Sequence, residues 1–391
     1  MSLQGVSRMV VKVGTSTLTN AKGRIDRAFI ADLTAQLAAQ RAQGRDVLLV
    51  TSGAIRAGKE RLANTPPDTR HPTSDTLPYK QAAAAIGQGL LMHTYMEAFA
   101  WQEVECAQVL LTRDDLSDRP RFLNARNTLL ALLSLGVIPV INENDTVAVD
   151  EIKFGDNDNL AAQVATLVEA DLLLILSDVE GLYERLLTEE VNPSTPDTRH
   201  LTPIRTVPKV DAAVMALAGG TKSGVGTGGM RTKLEAARIA TTAGIRTVIA
   251  RGRRERVIAE VVEGKEVGTV FLPQTNSDRL PARKQWLAHT ARPRGTVTVN
   301  ARAKERLLGN GVSLLAVGIV SITGSFTSGD LIEVCDEAGE VFARGLTNYA
   351  AAEIKRVLGL RSDQFEEVLG YRGFEEVIHR DNLVISLPVE R

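Results

Sequence analysis

The sequence predicts an α/β protein whose first part is a three-layer αβα sandwich with a mainly parallel sheet, followed by a small β-rich domain. From about residue 9 to residue 270, short apolar runs of strand length alternate with stretches of helical periodicity. Polar clusters follow the ends of these runs, and the composition changes near Leu272. Strands that are apolar on both faces and separated by helices are typical of a parallel sheet that is covered on both sides.

The strands and helices of the first part are predicted to alternate in chain order. Each strand is a nearly continuous apolar run. The first long helix has apolar residues at intervals of three and four positions, as at Ile30, Leu33 and Leu37. The strands are expected at residues 10–13, 47–50, 104–111, 137–141, 172–176 and 247–250, and the helices at residues 30–41, 80–101, 124–135, 160–170 and 233–243.

A domain boundary is predicted near Leu272. Residues 272–293 are polar and contain three prolines, which is typical of a linker. The runs that follow, at residues 295–299, 318–324 and 330–334, read as short antiparallel strands. We therefore expect one domain over residues 1–271 and a second over residues 294–391. Two proline-containing stretches, residues 63–78 and 191–203, are expected to be surface loops.

The composition excludes several classes of protein. The 391 residues are 44% hydrophobic and 24% charged, as in an ordinary globular protein. The 46 basic and 47 acidic residues give a net charge of −1, so the chain as a whole lacks the positive charge of a nucleic-acid binder. Its two cysteines are far apart and make neither a disulfide framework nor a zinc site. The absence of a signal peptide or a long apolar run predicts a cytosolic protein.

Lys12 is the first candidate for chemistry. It lies within the apolar run of the first strand, immediately before the turn at Gly14. A buried lysine is costly unless its charge is paired or used, so Lys12 could hold phosphate together with the backbone N–H groups of the turn. It could equally be a lysine whose charged end reaches out of the strand into water.

A glycine-rich string at residues 224–233 is the second candidate. It precedes a helix that opens with Thr232 and Lys233, and both the glycines and a helix N-terminus suit a polyanion. The alternatives are a flexible linker or an ordinary capping turn. If Lys12 and Lys233 act together, they would stabilise charge on a phosphoryl group during its transfer.

Two polar clusters, residues 142–145 and 155–159, lie within twenty positions of each other after a predicted strand. Crowded carboxylates repel one another unless they hold a ligand or a cation, so the clusters could bind an ammonium group, orient a lysine or hold Mg²⁺ through water. Asp158 or Asn159 could instead cap the next helix. Ser52 ends another strand and could donate to a carboxylate or phosphate, or belong to a plain turn.

Together these strings resemble the glutamate 5-kinases of the amino acid kinase family. The resemblance covers essentially the whole chain and includes a C-terminal domain similar to a PUA domain. It implies the amino acid kinase fold and ATP-dependent phosphorylation of the side-chain carboxylate of L-glutamate to L-glutamyl 5-phosphate, the first step of proline synthesis. The strings that carry it are residues 11–16, 51–55, 110–113, 121–126, 139–145, 155–159 and 226–233.

The resemblance also implies roles for individual residues. Asp145 and Asn157 would bind the ammonium group of glutamate and Ser52 a carboxylate. Lys12 and Lys233 would contact the phosphates, and Asp158 would hold the two lysines. The nucleotide would be lined by Lys12, Gly14, Ser177, Asp178, Thr227, Gly228, Gly229, Met230, Arg231, Thr232 and Lys233. Serine stands at position 177 where the family often has threonine, and it keeps the hydroxyl group.

Further expectations rest on the resemblance alone: Mg²⁺ as the counterion of ATP, inhibition by proline near the glutamate site, a homo-oligomer (a dimer or a tetramer), and a cytoplasmic location. Two alternatives remain open. One is a related kinase acting on N-acetylglutamate, aspartate or carbamate, and the other is an RNA-binding protein that uses the PUA-like domain. Residues 294–391 carry 11 basic and 14 acidic residues, a net charge of −3, which disfavours RNA binding.

Overall fold

A computed structural model describes residues 5–63, 76–148, 156–184, 203–218, 229–274, 293–310, 312–371 and 373–385. The chain forms two compact units. The first comprises Met1–Leu116 and Pro120–Arg279, and the second comprises Ser117–Arg119 and Leu280–Arg391. No helix within the described ranges is both long enough and apolar enough to cross a membrane.

An eight-stranded sheet forms the centre of the first unit. Its strands are ordered β3-β4-β2-β1-β5-β7-β8-β6, and every neighbouring pair is parallel except β7–β8. The predicted mainly parallel sheet is therefore confirmed. The strands are β1 (Arg8–Val13), β2 (Asp46–Val50), β3 (Cys106–Leu111), β4 (Ile138–Glu143), β5 (Leu172–Ser177), β6 (Thr206–Val207), β7 (Arg246–Arg251) and β8 (Thr269–Phe271).

Helices cover both faces of this sheet and complete the three predicted layers. The α2, α4 and α10 side chains pack with Met9 and Val11 of β1, whereas those of α6, α7 and α9 pack with Val10. The helices are α1 (Thr15–Leu18), α2 (Arg27–Ala42), α3 (Ala54–Ala63), α4 (Leu77–Ala100), α5 (Arg113–Ser117), α6 (Arg119–Ser134), α7 (Asp156–Leu167), α8 (Ala212–Ala216), α9 (Met230–Thr242) and α10 (Val257–Val262).

The alternation of β1 decides where Lys12 points. Successive strand residues face opposite sides of a sheet, so Lys12 shares its side with Val10, towards α7 and α9. This face supplies the other charged groups of the site described below.

The helix α3 was not predicted. It begins directly after the polar residues that end β2 and packs closely on α4. The close packing of the two helices requires a glycine on each of them. A Cβ atom at Gly58 of α3 would overlap the carbonyl oxygen of Ala83, and a Cβ atom at Gly87 of α4 would overlap that of Ala54. The helix therefore depends on tertiary packing that its own sequence does not display.

The predicted loop at residues 63–78 is wrong at both ends, because Ala63 ends α3 and Leu77 begins α4. Pro78 lies in the first turn of α4, where its missing N–H group is not needed for a helical hydrogen bond. The rest of that loop, residues 64–75, lies outside the described residues, as do residues 191–202 of the other. The bounds of the remaining predicted elements differ from those observed by up to five residues, the largest shift being at the start of α6.

The second unit contains a five-stranded sheet ordered β10-β9-β11-β12-β13. The prediction of purely antiparallel strands is wrong for one pair, because β11 runs parallel to β9. The chain reverses direction between β9 and β10 and again between β10 and β11, so β11 runs in the same direction as β9. It pairs with β9 on the side opposite β10. The elements are β9 (Gly295–Val299), β10 (Ile319–Gly324), β11 (Leu331–Cys335), β12 (Val341–Leu346), β13 (Leu383–Ile385), α11 (Ala301–Asn310), α12 (Ala351–Val357) and α13 (Phe365–Leu369).

Candidate active site

Four neighbouring parallel strands bring the predicted polar residues to one edge of the first sheet. The strands β4, β2, β1 and β5 lie side by side, and their carboxyl ends meet at the same edge. Gly14 is the first residue after β1, Ser52 is the second residue after β2, and Ser177 is the last residue of β5. Ligands in sheets of this kind bind beyond these ends, so the topology places the candidate residues where a ligand belongs.

A buried carboxylate joins the two predicted lysines. Oδ1 of Asp158 lies 2.5 Å from Nζ of Lys12, and Oδ2 lies 3.4 Å from Nζ of Lys233. The side chains of Lys12, Lys233 and Asp158 are 6%, 9% and 0% exposed. The hydroxyl group of Thr232 donates to the same carboxylate at 2.7 Å. We call Lys12, Asp158 and Lys233 the ionic triad, and it brings together residues from β1, α7 and α9.

The triad explains the ionisation of Asp158. Burial by itself would raise the pKa of this carboxyl group, but the positive charges of Lys12 and Lys233 and the hydrogen bonds from Lys12 and Thr232 outweigh it and lower the pKa. The carboxylate therefore stays negative at neutral pH and fixes both ammonium groups within its reach.

The pKa of Lys233 is lowered as well, for different reasons. Its burial and the nearby charge of Lys12 lower its pKa, while Asp158 and Asp178 act to raise it. Two cations that share a single buried carboxylate leave an excess of positive charge. Such a site favours a further anion, and phosphate is suited to it.

Gly14 leaves room for this charge. A Cβ atom at position 14 would lie 3.3 Å from Nζ of Lys12, which is a tight contact for a side chain. Glycine therefore keeps the space next to the ammonium group open. Gly14 also accepts hydrogen bonds from the N–H groups of Thr17 and Leu18 at 3.1 Å, which begin α1.

A second group of polar side chains forms a chain of amides beside the triad. Nδ2 of Asn157 donates to Oγ of Ser52 at 3.0 Å and to Oδ1 of Asn142 at 3.2 Å. Nδ2 of Asn142 in turn donates to Oε1 of Gln88 at 2.7 Å. Ser52, Asn142 and Gln88 are buried. We call Ser52, Asn157, Asn142 and Gln88 the amide chain.

The amide chain leaves one acceptor unused. Both N–H bonds of the Asn157 amide are engaged, and its Oδ1 is buried without a hydrogen-bond partner among the described residues. A buried polar atom of this kind is costly unless a ligand satisfies it. Asn157 immediately precedes Asp158 on α7, so one helix end contributes to both the amide chain and the ionic triad.

Two members of the amide chain, Asn142 and Gln88, were not predicted individually as site residues, although Asn142 belongs to the polar cluster at residues 142–145. Asn142 is one of four consecutive polar residues at positions 142–145, so the sequence did not distinguish it from its neighbours. Gln88 lies among alanines, glycines and leucines of α4, where a buried glutamine is itself the signal. The sequence could not reveal which group the glutamine contacts.

Most of the remaining predicted residues lie within the described residues. Asp145 is half-buried in the turn at residues 145–147 that follows β4. Oγ of Ser177 donates to Oδ1 of Asp178 at 3.0 Å. Gly229 caps α9, and Met230, Arg231 and Thr232 form its first turn. Thr227 and Gly228 lie outside the described residues.

The chain is similar in sequence to two protein families over most of its length. The profile of the amino acid kinase family matches residues 7–251, and that of the PUA domain matches residues 295–369. Three curated relatives carry the name glutamate 5-kinase. They come from Trichlorobacter lovleyi (47% identical over 383 residues), Moorella thermoacetica (46% over 385) and Geobacter sulfurreducens (48% over 384), each alignment covering 98% of both chains. A solved structure of carbamate kinase from Giardia covers 69% of this chain and 100% of its own, with a TM-score of 0.48 and 18% identity.

Proposed function

The chain belongs to the amino acid kinase family, and within it to the glutamate 5-kinases, and we propose that the ionic triad and the amide chain are the two halves of its active site. The reaction of this family transfers the γ-phosphoryl group of ATP to the side-chain carboxylate of L-glutamate, giving L-glutamyl 5-phosphate and ADP. One observation carries the assignment: two lysines converge on one buried carboxylate, and the residue before it, Asn157, has a buried amide oxygen with no hydrogen-bond partner among the described residues.

The nucleotide half contains the triad and the residues around it. Lys12 and Lys233 contact the phosphates of ATP, and Asp158 holds both lysines in position. The start of α9 supports this role, because Gly229 caps the helix without a side chain and leaves N–H groups of the first turn for an anion. The other nucleotide contacts in this proposal are Gly14, Ser177, Asp178 and residues 227–232.

The glutamate half distinguishes the ammonium group of glutamate from its carboxylate by offering a hydrogen-bond acceptor to the first and a donor to the second. Because the N–H groups of Asn157 are engaged, its free oxygen accepts from the ammonium group. Because Oγ of Ser52 already accepts a hydrogen bond from Asn157, its O–H group remains to donate to a carboxylate. The Asp145 carboxylate supplies a second partner for the ammonium group.

The reaction needs charge stabilisation more than acid–base chemistry. The substrate carboxylate is a nucleophile at neutral pH, so no general base is required. The obstacle is to bring two anions into line, and positioned cations remove it. Asp158 acts as a positioning residue, since its carboxylate fixes the direction of both lysines before the nucleotide binds.

Magnesium fits this scheme as a companion of ATP. No group of three or more His, Cys, Asp or Glu side chains suited to a metal occurs in the described part of the chain. We propose that Mg²⁺ is held mainly by phosphate oxygens and water, as is common for this ion with nucleotides.

Several finer proposals accompany this function. We propose a kinase domain over residues 1–271, a linker over residues 272–293 and a PUA-like domain over residues 294–391, supported by the two compact units and by the matched ranges. We also propose a cytoplasmic homo-oligomer, a dimer or a tetramer, that proline inhibits. Exposed apolar residues on α4 support self-association, with Ile86, Leu90 and Met96 being 39%, 41% and 54% exposed.

A hydroxylamine-trapping assay tests the proposed reaction. With ATP and Mg²⁺, the purified protein is expected to form the hydroxamate of glutamate, since an acyl phosphate reacts with hydroxylamine. The same assay includes aspartate, N-acetylglutamate and carbamate as acceptors. Turnover of one of these in preference to glutamate would contradict the proposed substrate.

The variant Asp145→Ala tests the glutamate half. Loss of this carboxylate is expected to raise the KM for glutamate by about tenfold or more, because an ion pair to the ammonium group is lost, while the KM for ATP changes little. If proline binds the same half, the proline concentration that halves activity rises as well. An unchanged KM for glutamate with a raised KM for ATP would show that the two halves are wrongly assigned.

A further inference from the structure

Arg253 lies on the loop after β7 and makes contacts that the reaction scheme does not use. Its Nη1 donates to Oδ2 of Asp26 at 2.9 Å, and its Nη2 donates to the carbonyl oxygens of Thr17 at 3.0 Å and Thr19 at 2.8 Å. The guanidinium group also lies 5.1 Å from the centre of the Phe29 ring. One side chain thus connects the end of β7 with the end of α1 and the start of α2.

The backbone of the same loop is tied to the nucleotide half. The N–H group of Gly252 donates to the carbonyl oxygen of Ser177 at 2.8 Å. A Cβ atom at position 252 would lie 2.6 Å from Cγ2 of Thr17 and 3.0 Å from Cβ of Leu176, so glycine allows α1 to lie against β5 and β7. The loop therefore contacts the strand end at Ser177 and the helix that follows Gly14.

The position of α1 governs the position of Gly14. This helix has only four residues, and the N–H groups of Thr17 and Leu18 both bond to the carbonyl oxygen of Gly14. A shift of its last residues is transmitted to Gly14, next to Nζ of Lys12. Asp26 restrains the other side, because it caps α2 through Phe29 and its own N–H group bonds to Leu18.

We propose that Arg253 is a positioning residue for the nucleotide half, which holds the turn at Gly14 against the strand end at Ser177. The inference rests on the proposed function only in assigning these two places to ATP. Arginine suits the task because its planar group reaches three acceptors in fixed directions, whereas lysine offers a single point of charge. Loss of these bonds lets α1 shift, and small misplacements near reacting groups have large effects on catalysis.

The test compares Arg253→Met, Arg253→Lys and the matched control Arg254→Met. Arg254 lies on the same loop but pairs with Glu260 at 2.7 Å. We expect Arg253→Met to raise the KM for ATP by about tenfold, with the KM for glutamate within about twofold of the wild type. Arg253→Lys is expected to restore part of the loss because a cation returns, and Arg254→Met should behave like the wild type.

Calorimetric titration with ATP in the absence of glutamate separates this inference from the proposed reaction. Weaker ATP binding by Arg253→Met, but not by Arg254→Met, supports the role of Arg253 even if another acid were the acceptor. Asp26→Asn keeps the helix cap and removes the charge partner, so we expect a smaller change in the same direction. A lower melting temperature with unchanged ATP affinity, or an equal rise of both KM values, would overturn the inference.

Discussion

Lys233→Ala is expected to lower kcat by about three orders of magnitude, with only a modest change in the KM for glutamate. The ammonium group of Lys233 is buried and lies 3.4 Å from Asp158, and Lys233 is the fourth residue of α9. Its positive charge would act mainly on the phosphoryl group during transfer, when negative charge is redistributed over the phosphoryl oxygens. Steady-state kinetics with both substrates varied will measure the effect.

The control for this variant is Arg238→Ala on the same helix. Arg238 lies five residues further along α9, about one and a half turns from Lys233, and takes no part in the ionic triad. It should leave kcat near the wild-type value. A Lys233→Ala enzyme that keeps its full kcat would remove this lysine from the mechanism and leave Lys12 as the sole cation of the triad.

Asp158→Asn is expected to damage both activity and stability. The change removes the carboxylate that the two buried ammonium groups share, and breaking a buried ion pair from one side costs about 3 kcal/mol or more of unfolding free energy. The same change frees both lysines from their positions, so we expect kcat to fall by about two orders of magnitude or more. Asp46→Asn is the matched control, because its pair with Arg8 is partly exposed and is expected to contribute less than about 1 kcal/mol.

The stability effect of Asp158 also has a definite pH dependence. The carboxyl group titrates near 3.8 when exposed, and its pKa is lower in the folded protein. Its contribution to stability is therefore complete above the unfolded value and is lost as the pH falls through the folded value. Urea unfolding between pH 7 and pH 3 should give a steeper loss of unfolding free energy for the wild type than for Asp158→Asn. Parallel curves for the two proteins would contradict the ionised triad.

Local patterns were sufficient for the sheet and for many of the chemical groups. The buried strands of the first unit are continuous apolar runs, and their polar ends mark the binding edge. The helix α3 was not predicted because Gly58 and several charged residues interrupt its apolar pattern. It is stabilised instead by packing on α4. The parallel pairing of β9 with β11 escaped for a different reason: a strand pattern does not specify which neighbour the strand pairs with.

By itself, the sequence determined that Lys12, Asp158 and Lys233 are unusual, because each is a charged residue adjoining an apolar run or a glycine-rich turn. The family resemblance implied that Asp158 holds both lysines, but only the tertiary structure shows how the three residues meet, since Asp158 and Lys233 are 75 positions apart in the chain and come together through the packing of α7 on α9. The same holds for Gln88 and Arg253. Their side chains reach partners that are distant in sequence, and the direction of such contacts is set by how helices and strands pack rather than by local periodicity.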